Sequence, residues 1–224
     1  MSTSVKKNPN LKTQVYNYLK NQIMTGKLRP GERLIEEKIS NDLEVSRSPI
    51  RESIRMLEKD GLLKVKKTGG VTVVKPTMED FQHMYECRVE MEPLSSFYAA
   101  KRRSPEQLEL MRAALLKGKN YSSDNSLASK KDNEVLSFHE AVVQASNNQW
   151  LISMVSHLRG INGFYRQSII EENPFHVEQA FNEHQKIFQA IVDQDSESAR
   201  NFMRQHIESD YNLFMELCRK KEVK

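Results

Sequence analysis

The sequence predicts a mainly α protein in two parts, an N-terminal winged helix-turn-helix over residues 1–76 and a C-terminal all-α helical bundle over residues 77–224. Three observations predict it. Short runs of helical apolar spacing up to Gly61 are followed by an alternating apolar and basic run around Gly69-Gly70, which reads as a hairpin. From Thr77 onward glycines are few, and long stretches keep helical periodicity without strand-like alternation. The charge also changes sign at the same place. Up to Pro76 there are sixteen Lys/Arg against eight Asp/Glu, and beyond it eighteen against twenty-two, so the formal +4 conceals a basic head and an acidic body. Such asymmetry points the basic part toward a polyanion.

Taken in order, Leu11 to Thr25 carries Val15, Leu19 and Ile23 at four-residue spacing and is closed by Gly26, a helix stop. LRPGERL then supplies the Pro-Gly pair of a turn. IEEKISNDL, Ile35 to Leu43, is a short second helix with Ile35, Ile39 and Leu43 four apart. Ser46 is placed to cap a third helix, with Pro49 in its first turn, a stripe of Ile50, Ile54 and Leu57, and an end at Asp60-Gly61. LLKVKKTGGVTVVKP, Leu62 to Pro76, is the hairpin, which makes it a wing whose Lys64, Lys66 and Lys67 would lie along phosphates. The third helix would then enter a DNA major groove. Arg47, Ser48 and Arg51 stand on its first exposed turns, where base edges are reached. A guanidinium matches guanine O6 and N7 bidentately, so Arg47 and Arg51 are the expected base readers.

The stretch PGERLIEEKISNDLEVSRSPIRESIRMLEKDGLL resembles the winged helix of the GntR family of bacterial transcription regulators. That family typically shows a P-G turn, a short helix, V-S-R-x-x-[VI]-R-E-x-[LI]-x-x-L and then E/D-G-L. The resemblance implies DNA contacts from Arg47 and Arg51 and from the wing tip near Lys66, Lys67, Thr68 and Gly69. At one position the chain departs from the pattern, with Glu37 where some members carry a DNA-contacting arginine.

The body reads as six or seven helices: Met78 to Arg103, a second restarted by Ser104-Pro105, then Leu136 to Ser146, Gln149 to Ile170, Phe175 to Asp193 and Ser196 to Arg219. Tyr121 to Asp132 is a polar linker or loop. The inner face of the first helix runs through Met84, Cys87 or Arg88, Met91 and Leu94. His139, His184 and His206 each sit on an otherwise apolar helix face, and interior histidines from facing helices are a usual way to build a metal site in a bundle. Zinc or nickel suits such imidazole ligands. Arg88, with Tyr165 and Arg166 on a facing helix, could fork onto a small carboxylate; Arg88 could instead pair with Glu92.

YECRVEMEPLSSFYAA, FHEAVVQASNN, EHQKIFQAI and ARNFMRQHI resemble the FCD ligand-binding domain of one GntR subfamily, the FadR/VanR-like regulators. Many such domains hold a metal through an aspartate and three histidines, and the histidines correspond to His139, His184 and His206. The aspartate does not correspond, because Val135 occupies its position. A three-histidine site completed by water or an effector carboxylate, or by Asp210, remains open.

The expected function is that of a ligand-responsive transcription regulator binding an inverted-repeat operator in double-stranded DNA as a homodimer. A small organic acid in the bundle would modulate its DNA affinity, and the resemblance implies repression as the usual outcome. Two other readings compete: a metal-dependent hydrolase using the three histidines, and a DNA-binding protein whose bundle only dimerises. Against the hydrolase, the residue at which H-E-x-x-H would place its second histidine is Val143. Two distant cysteines, no charged-then-apolar leader and no apolar run near ~20 residues give the expectation of a cytoplasmic protein without a membrane span.

Overall fold

The computed structural model describes residues 10–66, 69–122, 138–166 and 175–222. The chain divides into two compact units, Met1–Pro76 and Thr77–Lys224.

In the first unit α1 (Leu11–Met24) is followed by β1 (Arg33–Leu34), α2 (Glu36–Asp42), α3 (Arg47–Lys59), β2 (Leu63–Val65) and β3 (Val71–Val73). α1 buries Val15, Leu19 and Ile23, and α3 buries Ile50, Ile54 and Leu57. Each is one stripe of a 3.6-residue period, so the two helices pack face to face. The Ser53 hydroxyl, 2.6 Å from the Lys12 carbonyl, pins that crossing. α2 is shorter than its periodicity suggests. Ile35 is its extended N-cap and exposed, leaving Ile39 as the one residue the helix buries.

The sheet is antiparallel in the order β1-β3-β2. Leu63 pairs with Val73 and Val65 with Val71, while Arg33 and Leu34 pair with Thr72 and Val71. β1 falls in the segment whose Pro-Gly pair reads as a turn. Two residues are too few to show strand alternation, and β3 recruits them. Gly69 and Gly70 take φ of 85° and 108° where the hairpin reverses, a region closed to most side chains.

The second unit is helical among its described residues: α4 (Met78–Arg102), α5 (Pro105–Ser122), α6 (138–145), α7 (Gln149–Arg166), α8 (Phe175–Val192) and α9 (Ser196–Glu222). Thr77 and Asp80 close a capping box at the start of α4. α4 packs on α9, α7 and α8, and α8 packs on α9 and α5. The core between them holds Phe81, Met111, Phe138, Ile187 and Met203, each contributing about 1.5–3 kcal/mol by burial. Along α4 the buried line is Phe81, Met84, Tyr85, Arg88, Glu92 and Ser95. Cys87 is exposed, so Arg88 takes the inner position. Arg103 donates to the carbonyls of Ile191 and Val192, satisfying orphan acceptors at the end of α8. Among the described residues, no helix is long and apolar enough to cross a membrane.

Candidate functional site

Two places gather functional side chains. In the head, Arg47, Ser48 and Arg51 are exposed on the first turns of α3. Ser46 stands at the N-cap, yet its side chain makes no capping bond. The reason is local: the amide a capping hydroxyl usually meets belongs to the third helical residue, here Pro49, which has no N–H. The positive end of α3 is thus left without an internal acceptor from Ser46. Arg47 Nη2 donates to Glu37 Oε1 at 2.7 Å, and Arg51 Nε donates to Glu36 Oε2 at 2.7 Å. Glu37, Arg47, Arg33 and Gly70 line a groove of about 250 Å³ between α2 and the wing. Lys64, Lys66 and Gly69 are exposed on the wing, whereas Lys67 and Thr68 lie outside the described residues.

In the bundle, α6, α8 and α9 each aim one histidine at a common point. The Nε2 atoms of His139, His184 and His206 form a triangle with all three sides 3.1 Å, and all three side chains are buried. Behind this triangle, Glu92 Oε2 lies 2.5 Å from His139 Nδ1, and Glu183 Oε2 lies 2.6 Å from His206 Nδ1. Ionised carboxylates only accept, so they fix the proton on Nδ1 and leave a lone pair on Nε2. Burial, the largest influence on His139, pulls its pKa down to about 4 against the opposite effect of Glu92, so the ring is neutral near pH 7. Burial would raise the Glu92 carboxyl, but Arg88 and then His139 outweigh it and hold the group well below its usual range.

Two of these lone pairs therefore face each other at 3.1 Å, an arrangement that repels unless a cation lies between. Bonds of about 2.0–2.1 Å to nitrogen place donors roughly 3.0 Å apart at right angles and 3.4 Å apart in a tetrahedron. The observed triangle falls between these limits, and carboxylates behind ligating imidazoles are the usual outer support. The residues fit a first-row divalent metal.

Beside the triangle the interior is charged. Arg88, 2% exposed, donates through Nε to Glu92 at 2.6 Å, and its Nη1 lies 3.5 Å from Asp210 Oδ2 without a hydrogen bond. Asp210 also accepts from the Tyr85 hydroxyl at 2.6 Å. From α7 come the buried Arg159, 3.4 Å from Glu140, and Asn162, whose buried Oδ1 has no hydrogen-bond partner among the described residues.

The two parts of the chain match two family models: "Bacterial regulatory proteins, gntR family" over residues 11–73 and "FCD domain" over residues 83–209. The transcriptional regulator YdhC of Bacillus subtilis is 31% identical over 202 residues, covering 88% of each chain. The chain belongs to the GntR family. Within it, this regulator is also similar to the transcriptional repressor GlaR of Escherichia coli, at 25% identity over 86% of this chain and 90% of that one. In fold it matches E. coli McbR/YncC with a TM-score of 0.79 at 23% identity, covering 93% of this chain and 99% of the other. A GntR regulator from Rhodococcus superposes with a TM-score of 0.76 at 23% identity, over 92% and 97% of the two chains.

The hydrolase reading finds no support in this family of transcription regulators. Glu140, the one carboxylate adjacent to His139 in sequence, is held by Arg159, Gln144 and Ser156. Asp210 is engaged by Tyr85 and Arg88 and stands outside the three-histidine group. Val135 lies outside the described residues, as do the side chains of Tyr165 and Arg166 in the last turn of α7. Among the described residues, α7 delivers Arg159 to the interior. Sequence reasoning missed Arg159, Asn162 and the roles of Glu92 and Glu183 behind the histidines. Glu92 could be seen as a partner for Arg88 at i+4, but its second oxygen's reach to α6 could not.

Proposed function

We propose that this GntR-family protein is a ligand-responsive regulator, acting as a homodimer on an inverted-repeat operator in cytoplasmic DNA and most simply as a repressor. Each head would set α3 in the major groove, with Arg47 and Arg51 on guanine edges, Ser48 beside them, and Lys66, Lys67, Thr68 and Gly69 along the wing. In the bundle, His139, His184 and His206 would hold a zinc or nickel ion. When bound, that ion offers an open coordination position to a small organic acid.

The observation that carries the reading is the convergence of three Nε2 atoms at 3.1 Å with carboxylates on two Nδ1 atoms, beside a buried guanidinium whose Nη1 lacks a hydrogen bond. Glu92 and Glu183 orient two of the rings through their Nδ1 atoms, and between them they offset the charge of a divalent ion. Arg88 would receive an effector's carboxylate, and Asn162 Oδ1 would accept a hydrogen bond from a hydroxyl of the same acid. Tyr165 and Arg166, which the sequence sets with Arg88 as effector contacts, have side chains outside the described residues, and α7 carries a further buried arginine, Arg159.

The test is elemental analysis of protein purified without a polyhistidine tag, before chelation, after it, and after reloading with zinc or nickel. Close to one ion per chain is expected. Wild-type protein that arrives metal-free and cannot be reloaded would leave the histidines as core residues and the bundle as a dimerisation element.

A further inference from the structure

The two bridges on α3 look alike, each an exposed Glu–Arg pair of 2.7 Å between α2 and the recognition helix. They differ in the nitrogen used. Arg51 is held through Nε, on the flank of its guanidinium, and among the described residues its two terminal nitrogens make no hydrogen bond. The end-on fork, Nη1 with Nη2, is the edge that takes guanine O6 and N7. Glu36 grips Arg51 from the side and leaves that edge presented. Arg47 is held through Nη2, the nitrogen common to both of its two-pronged edges, the end-on pair and the Nε/Nη2 pair. A base contact by Arg47 must displace or share that bond.

Burial separates the two carboxylates as well. The side chain of Glu36 is 32% exposed, that of Glu37 67%. Both carboxylates line the groove beside the wing, and Glu36, the more covered of the two, is the one placed to act as a buttress.

We infer that Glu36 and Glu37 set the DNA specificity and affinity of this regulator with opposite signs: Glu36 is a positioning residue that aims Arg51 at a base, and Glu37 is a competitor that holds Arg47 back until a base replaces it. This rests on the reading of Arg47 and Arg51 as base contacts. The opposite signs are what make it distinctive. Glu36→Gln and Glu37→Gln remove the same charge from the same short helix, and loss of a negative charge beside phosphates tightens binding by itself. Electrostatics alone therefore predicts that both variants bind DNA more tightly.

The experiment uses the full chain and two duplexes, the one that wild type enriches from a random-sequence library and a shuffled duplex of equal length. Glu37→Gln is expected to bind both duplexes about two- to fivefold more tightly, the scale of an exposed ion pair plus one removed charge. Glu36→Gln is expected to bind the enriched duplex about three- to tenfold more weakly, since a misaligned fork forfeits part of a bidentate contact. It should also lose discrimination at the base pair where Arg51→Ala loses it, read by replacing that guanine with 7-deazaguanine. In an Arg51→Ala background it should weaken binding no further.

Tightening by Glu36→Gln, weakening by Glu37→Gln, or an equal loss from Glu36→Gln with and without Arg51 would each overturn the inference while leaving the DNA contacts in place. Undiminished binding of the enriched duplex by both Arg51→Ala and Arg47→Ala would remove the docking itself, and the inference with it.

Discussion

Arg88 shows why a single residue can serve two masters. A guanidinium 2% exposed would be costly alone, and it is tolerable because Glu92 at 2.6 Å and Asp210 at 3.5 Å share its charge. Arg88→Ala takes from the buried Glu92 the cation that hydrogen-bonds to it, so it should destabilise the bundle by about 3–5 kcal/mol in urea unfolding. For that reason Asn162→Ala is the cleaner probe of effector binding, because among the described residues its Oδ1 makes no bond to lose. His206→Ala should lose most of the metal, and elemental analysis would read that loss directly. His139 also sets a pH dependence. His139 has its pKa lowered from 6.5 to about 4 by burial, so the unfolded chain binds a proton over that interval when the folded one does not. Stability from this group is fully present above pH 6.5 and falls as pH drops from 6.5 toward 4. Metal-stripped protein should melt at progressively lower temperature across that window; a flat profile would show that His139 is not held neutral.

At the scale of elements, the helices of the head were legible because each presents one stripe. Val15, Leu19 and Ile23 of α1, like Ile50, Ile54 and Leu57 of α3, can be read from spacing alone. Ile54→Ala opens a cavity between them and should cost about 2–5 kcal/mol, with DNA binding lost as α3 loosens. β1 was not legible, because two residues carry no period and only the register with β3 makes them a strand. The Ser46 cap failed for a reason present in the sequence, the proline at the third helical position. On the wing, Lys66→Ala should reduce the slope of log affinity against log salt by about 1 while leaving base preference intact. A shift in preferred bases would place Lys66 at a base edge instead of a phosphate.

For the molecule as a whole, the proposed regulation requires the effector to bind DNA-competent and DNA-incompetent states differently. The coupling is then reciprocal: operator DNA must change effector affinity by the same factor as the effector changes operator affinity. Calorimetric titration of small mono- and dicarboxylates into metal-loaded protein, with and without the enriched duplex, measures both halves of that cycle. A carboxylate that binds equally well in both cases is not an effector, whatever its affinity. In sequence, α4 starts two residues after Pro76, the last residue of the head, and it carries Tyr85, Arg88 and Glu92. Asn162→Ala should weaken the response to a hydroxylated carboxylate and leave ligand-free DNA binding as in wild type.

The sequence by itself determined the helical periods, the sign of charge in each part, and the dense local motif from Pro30 to Leu63 that places the chain in its family. These are properties of residues within a turn or two of each other, and local spacing records them. Only the tertiary structure decided that three histidines 45, 67 and 22 residues apart in their pairings share one point 3.1 Å across. It decided equally that Glu92 and Glu183 stand behind two of them and that Arg47 and Arg51 meet carboxylates on α2. Which side chains of different helices touch depends on the rotation and crossing of each helix against its neighbours, and those are fixed by packing the whole core.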